Sequence, residues 1–388
     1  MPILNRAAEM QDDITAWRRH FHQEPELGFE VHKTAAFVAG KLREFGCDEV
    51  VTGIGRTGVV GIIRGRLGEG PAVGLRADMD ALPIRETSDL PYASTVAGRM
   101  HACGHDGHTA MLLGAAKYLA ETRNFTGSVA VIFQPAEEGG GGGREMVRDG
   151  MMERFGIGRV FGMHNMPGLP VGQFAIRPGP IMAATAEFNV QIRGRGTHAA
   201  MPHRGIDPIV IGSQIVLAFQ TIAARTVDPV DSVVVSVTKF NGGEAYNVIP
   251  EHVSLAGTVR SLKDEVSALA EQRMRAICDG IALANDASVS FDFHRNYPVT
   301  VNNAEQAEFA ADVAAGVAGG PAVHRAIPPL MGGEDFSYML ESRPGAFIFI
   351  GNGDTANLHH PAYDFNDEAS AYGVSYWVKL AETALAPA

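Results

Sequence analysis

The sequence predicts a two-part α/β architecture: a larger domain with a mixed sheet flanked by helices, interrupted by a smaller α+β domain of ferredoxin-like, β-α-β-β-α-β order. Three observations lead there. Strand-like and helix-like patterns alternate over the first part of the chain, the rhythm changes near Glu187, and helix and strand patterns return from Ala304 onward. Alternation of this kind argues for a mostly parallel sheet with helices on both faces.

Taken in order, apolar spacing marks helices over 4–23 and 33–45, strands over 58–64 and 72–77, a helix over 109–121, a strand over 128–133 and another near 159–163. The middle then reads strand 187–193, helix 208–225, strands 232–240 and 252–260, helix 264–284 and strand 287–295. Because the closing stretch resumes the earlier pattern, residues 1–185 and 298–388 are expected to form one domain and 186–297 an insertion. No repeat of fixed period is visible.

At 388 residues and 46% hydrophobic, the chain is long enough for two packed cores. A formal charge of -12 and the lack of any Lys/Arg run argue against a nucleic-acid partner. The first twenty residues carry no signal-peptide core, and no apolar run is expected to reach the roughly 18 residues that span a bilayer. A cytoplasmic protein without membrane partners is therefore expected. The three cysteines, Cys47, Cys103 and Cys278, are scattered and odd in number, so they give no disulfide framework. Cys47 and Cys278 read as ordinary core or surface residues.

Two short stretches concentrate chemistry. In Gln134-Pro135-Ala136-Glu137-Glu138-Gly139-Gly140, two adjacent carboxylates follow an apolar strand pattern, so that one can bind a metal while its neighbour takes a proton from water. The glycines from Gly139 to Gly143 are expected to leave bare backbone for a substrate. In His101-Ala102-Cys103-Gly104-His105-Asp106-Gly107-His108, a thiol and three imidazoles stand just before a helix pattern. In a reducing compartment such a cysteine binds metal or reacts more often than it forms a disulfide. The plainer reading, a helix start whose polar residues cap free amides, suits Asp106 better than Cys103.

These stretches combine with Arg76-Ala77-Asp78-Met79-Asp80, Gly162-Met163-His164, Gly196-Thr197-His198-Ala199-Ala200-Met201-Pro202-His203, Met331-Gly332-Gly333-Glu334-Asp335-Phe336 and Leu358-His359-His360-Pro361. Together, in this order and over nearly the whole chain, they resemble the metal-dependent amidohydrolases of the hippurate hydrolase and indoleacetyl-amino-acid hydrolase branch, relatives of aminoacylases and carboxypeptidases in peptidase family M20. The resemblance implies a zinc-peptidase-like catalytic domain with a satellite domain that joins a homodimer, or a tetramer built from dimers. It further implies that Cys103, His105, Glu138, His164 and His359 hold two divalent ions per subunit, with Cys103 bridging them and Glu137 as general base toward a hydroxide the ions share. Mixed thiolate, imidazole and carboxylate donors suit zinc, manganese, nickel or cobalt and do not choose among them.

By the same resemblance His198 helps bind the oxyanion, from its own subunit or across the dimer, while Asn247 and Arg260 contact the substrate's carboxylate. Arg suits that role because its planar fork donates two parallel hydrogen bonds. The plainer readings are a loop histidine and a solvated strand-end charge. Asp78 stands where the wider family has a ligand histidine, so Asp80 is expected to orient a ligand imidazole rather than bind metal. His108 would share a helix face with His105, and only the family pattern demotes it and His101. His359 and His360 compete for one ligand place, and the pattern favours His359. Glu334 and Asp335 are expected to shape the site. The function implied is hydrolysis of the amide bond of an N-acyl amino acid. A dipeptidase or carboxypeptidase is the alternative, and a silent metal-binding or small-acid-binding module is disfavoured by Glu137 beside Glu138.

Overall fold

The computed structural model describes residues 3–387 and divides them into two compact units. One runs up to Ile181 and takes in Val301–Pro328 and the chain from Asp335 onward; the other comprises Met182–Thr300 and Pro329–Glu334.

The first unit is an α/β structure on an eight-stranded mixed sheet. Its centre is parallel: Ala72–Asp78 lies between Ser128–Gln134 and Ile157–Pro167, and Gly345–Gly353 follows beyond Ile157–Pro167. Gly58–Arg64 and then Glu49–Ile54 add antiparallel strands on one side. On the other side Phe174–Ala175 runs antiparallel to Gly345–Gly353 and carries Val323–His324 parallel beyond it. Every residue of Ala72–Asp78 is buried, the signature of a parallel strand covered on both faces. Helices Gln11–Gln23, His105–Thr122 and Ala369–Ala384 pack together in the same core.

Two expectations change. The helix expected over 4–23 is two helices, Asn5–Glu9 and Gln11–Gln23, because Met10 leaves helical geometry at φ -86 and ψ 1 between them. The short strands Phe174–Ala175 and Val323–His324 have no readable period, since two residues cannot show alternation.

The second unit runs Ala184–Arg193, helix Pro208–Thr221, Val233–Gly242, His252–Ser261, helix Asp264–Ala284, Ser288–Arg295. Its four strands pair in the spatial order Val233–Gly242, His252–Ser261, Ala184–Arg193, Ser288–Arg295, all antiparallel. Along Ala184–Arg193, Ala186, Phe188, Val190 and Ile192 are buried while Glu187, Asn189, Gln191 and Arg193 face out, the alternation of a sheet covered on one face. Ile211, Ile215 and Phe219 from the first helix and Ala270, Met274 and Cys278 from the second supply the cover.

The expectation that no apolar run reaches spanning length is corrected at Pro208–Thr226, a helix closed by a π turn. Its 19 residues, mean hydropathy 1.4, are long and apolar enough to cross a bilayer. Ser213, Gln214 and Gln220 interrupt the run and hide it from a simple scan. One face packs into the unit's core, while Val210 and Leu217 are exposed on the remainder.

Phe188 stacks edge-on against Phe219 at 5.6 Å in the middle of this core. Phe188→Ala is expected to destabilise the second unit by about 3–5 kcal/mol, read as an earlier chemical-unfolding transition.

Candidate metal centre

The C-terminal ends of the central parallel strands deliver the functional side chains, because loops leaving that edge converge there. Asp78 and Gln134 each end a strand, and His164 lies near the end of Ile157–Pro167. Helix His105–Thr122 begins with its first residue as a donor, preceded by Gly104 at φ 85. A Cβ on Gly104 would fall 2.2 Å from the Asn165 side-chain nitrogen, so only glycine lets Cys103 and His105 turn toward one point.

Three overlapping groups of donors gather there. Cys103, His105 and His164 offer atoms all within 4.8 Å of one another, as do Cys103, Glu138 and His359, and also His105, Glu137 and Glu138. Cys103 Sγ lies 3.4 Å from His164 Nε2, and His359 Nε2 lies 3.1 Å from Glu138 Oε1. His105 Nδ1 is held by the Asp80 main-chain oxygen at 2.8 Å, which leaves its Nε2 buried and without a hydrogen-bond partner. The Asn165 main-chain oxygen holds His164 Nδ1 at 2.7 Å, which turns Nε2 toward Cys103 Sγ. A buried imidazole nitrogen without a partner is costly, and a thiol, three imidazoles and a carboxylate around it fit a metal ion.

The electrostatics agree. Burial pushes the Cys103 thiol well up, and nearby Glu138, Glu137 and Asp78 add to the rise. Burial alone would lower His105, yet Asp78, Asp80 and Glu138 hold it up at about 10. His359 is raised by its hydrogen bond to Glu138. Crowded negative charge of this kind favours cations, which would in turn favour the thiolate.

Asp80 meets His105 Nδ1 through its main-chain oxygen, with its carboxylate 3.7 Å from the same nitrogen. That carboxylate also accepts from the amides of Glu137 at 2.8 Å and Glu138 at 3.0 Å, fixing the turn that presents both glutamates. Just before them Ala136 adopts φ 53 although it has a side chain. His108 is fully engaged: its Nδ1 faces Asp78 Oδ1 at 2.7 Å, and its Nε2 accepts from the Asn165 amide at 2.9 Å. No lone pair is left on His108 for a metal. His101 is buried with neither ring nitrogen partnered. His360 is exposed and accepts from Ala362 N within its own turn, whereas His359, at φ 63, faces Glu138.

The glycine run differs from expectation. Gly139 is exposed, as expected, but Gly141, Gly142 and Gly143 are buried; a Cβ would meet the Pro135 oxygen at 1.7 Å on Gly142 and the Asp335 oxygen at 2.8 Å on Gly143, so close internal packing requires glycine at those two positions. Asp335 anchors the same loop, accepting from Gly143 N at 2.8 Å, from Gln134 Nε2 and from buried Arg76 at 3.0 Å. Pattern reading missed Asn165 and Tyr363. Asn165 Nδ2 donates to the Cys103 main-chain oxygen at 2.6 Å, and the Tyr363 hydroxyl donates to Asn165 Oδ1 at 2.7 Å. Single polar residues in apolar surroundings leave no spacing signal.

His198, Asn247 and Arg260 belong to the second unit. The first two are neighbours: His198 pairs with Val248 in a short antiparallel ladder, and the Ala199 amide donates to the Asn247 oxygen at 2.9 Å. Both are exposed. Arg260 stands on another strand, in register with Thr185 and Val234, half-buried and without a hydrogen bond or ion pair among the described residues. Glu334 also lies in the second unit, where its main-chain oxygen accepts from the Thr300 hydroxyl at 3.3 Å.

A sheet edge lined with donors able to hold metal, beside an adjacent pair of glutamates, agrees with the class that the comparisons show, hydrolases acting on amides. The family model described as peptidase family M20/M25/M40 matches residues 74–383, and the chain belongs to that family. It is 42% identical over 381 residues to the hippurate hydrolase of Campylobacter jejuni, covering 98% of this chain and 99% of that one. It is 42% identical over 354 residues to thermostable carboxypeptidase 2 of Saccharolobus solfataricus, covering 90% and 88%. Among solved structures, a Bacillus subtilis protein described as a dinuclear metal binding peptidase of the M20 family is similar with TM-score 0.84 and 35% identity, covering 97% of this chain and 99% of that chain.

Asp80→Ala would leave the Glu137 and Glu138 amides without their acceptor. A loss of about 2–4 kcal/mol in unfolding free energy is expected, measured by denaturant titration.

Proposed function

We propose that the protein hydrolyses the amide bond of N-acyl amino acids, with Glu137 as general base. The observation that carries this reading is the Glu137-Glu138 turn held by Asp80: one carboxylate joins Cys103 and His359, and its neighbour is buried beside it. The relatives' names point the same way, a hippurate hydrolase being an enzyme for an acylated glycine.

Cys103, His105, Glu138, His164 and His359 would hold two divalent ions, whether zinc, manganese, nickel or cobalt. When bound, such ions activate water and polarise the scissile carbonyl. Glu137 takes the proton of the attacking water and passes it to the leaving nitrogen, so the amine departs neutral. His198 steadies the oxyanion, and Asn247 and Arg260 hold the amino acid's carboxylate. Arg260 supports that role, because a half-buried guanidinium with no hydrogen bond among the described residues, and only the Glu187 charge near it, is suited to an anionic ligand.

Residues 1–185 and 298–388 form the catalytic domain in this reading, and 186–297 a ferredoxin-like satellite. The strand order and antiparallel pairing of the second unit support the latter. The satellite joins a homodimer, or a tetramer built from dimers, in the cytoplasm. Its edge strand Val233–Gly242, with Val234 and Phe240 exposed, and the bare Val210 and Leu217 are the surfaces such a dimer would cover.

Peptidase activity is the second reading, favoured by the similarity to a carboxypeptidase. Release of amino acid from benzoyl-glycine, indoleacetyl-aspartate, indoleacetyl-alanine, acetyl-methionine and a free dipeptide separates the two. Chelator-stripped protein reloaded with each ion is expected to turn over an acylated series and to be inert before reloading. Turnover of the dipeptide alone would establish the peptidase instead.

Glu137→Gln is expected to retain bound metal while kcat falls by at least about a hundredfold. Unchanged turnover in that variant would remove Glu137 from the mechanism.

A further inference from the structure

Arg18, on helix Gln11–Gln23, is wholly buried yet far in sequence from every donor. Its Nε and Nη2 donate to the two carboxylate oxygens of Asp367 at 2.8 and 3.0 Å, and its Nη1 donates to Asp364 at 3.3 Å. The same Nη1 stands 3.6 Å from Asp106 Oδ2. The guanidinium lies 4.5 Å from the centre of the Tyr92 ring, and the Tyr92 hydroxyl donates to Asp364 at 2.8 Å. His22, one turn along the same helix, reaches Asp106 Oδ2 at 2.8 Å and Glu86 at 3.3 Å.

These acids divide between two segments. Asp106 directly follows His105, at the start of helix His105–Thr122. Asp364 and Asp367 lie in the irregular segment between His359, the residue held at φ 63, and helix Ala369–Ala384. A left-handed histidine persists only where its surroundings over-determine it. Stability alone accounts poorly for the cluster, since buried ion pairs are often matched or exceeded by apolar packing of the same volume. What a guanidinium adds is a rigid fork that fixes several carboxylates at once, which an ammonium on a flexible stem does not.

We propose that Arg18 is a positioning residue for the metal centre: one guanidinium sets the spacing between the segment that bears His105 and the segment that bears His359. The proposal rests on the reading of those two histidines as ligands. Arg18 acts through Asp106 on one side and through Asp364 and Asp367 on the other, and touches neither metal nor substrate.

The test is titration of the full-length, chelator-stripped chain with cobalt(II), which reports both affinity and, through its visible and thiolate charge-transfer absorption, ligand geometry. Arg18→Lys keeps the charge and loses the fork. It is expected to raise the cobalt dissociation constant by at least about tenfold and to give an altered spectrum that persists at saturation. A variant with wild-type affinity and a wild-type saturated spectrum would overturn the proposal. If Arg18→Lys does not fold, Asp367→Asn weakens the arm that Arg18 shares with Arg19, which also donates to Asp367 at 2.8 Å, and Arg19→Ala, which leaves the Arg18 fork whole, is expected to bind cobalt as the wild type does; equal loss in both variants would overturn the proposal. Failure of the wild-type chain to bind cobalt would overturn the metal reading itself, a result distinct from equal binding by wild type and variant.

Discussion

A carboxylate taken out of water must be met by donors, and three aspartates of the first unit impose that condition side by side. Asp78 and Asp335, both fully buried, share the Arg76 guanidinium, and Asp78 also engages His108. Asp80 draws in two consecutive backbone amides. Each requirement is local, yet satisfying all three ties a strand end, a glycine-rich loop and the start of a helix into one rigid frame. The donors around Cys103 point inward because the acids behind them leave the backbone little choice.

Some of this was open to reading from the sequence, for a physical reason. In 101–108 and 134–140 several reactive groups sit within one or two turns of chain, so their conjunction is visible without a fold. The broad division of the chain was likewise visible, because strands such as Ala184–Arg193 alternate cleanly and the buried strand Ser128–Gln134 is a continuous apolar run. Partnerships across long sequence separations were not. The sequence leads one to expect the Asp80 carboxylate beside an imidazole, where it does stand, but the shorter contact to His105 comes from the Asp80 main chain and the carboxylate also serves the glutamate turn. Nothing in the sequence says which oxygen a loop will turn inward.

Glycines illustrate the same limit. A run of them reads as open backbone, but at Gly142 and Gly143 the absent side chain is filled by the protein's own Pro135 and Asp335. The apolar helix Pro208–Thr221 errs in the other direction: its hydrophobic content exceeds what its own unit buries, because part of its surface is left bare. Composition records how much apolar surface exists and not where it is spent.

Three residues at the centre share one backbone habit. Gly104, Ala136 and His359 all hold positive φ, and the last two do so with side chains that disfavour it. The information that aims the donors is thus stored in main-chain torsions as much as in side-chain identity. Anyone wishing to transplant this centre onto another scaffold would have to carry over those three bends. Copying the cysteine, histidines and glutamates onto regular helices and strands would reproduce the inventory and lose the aim.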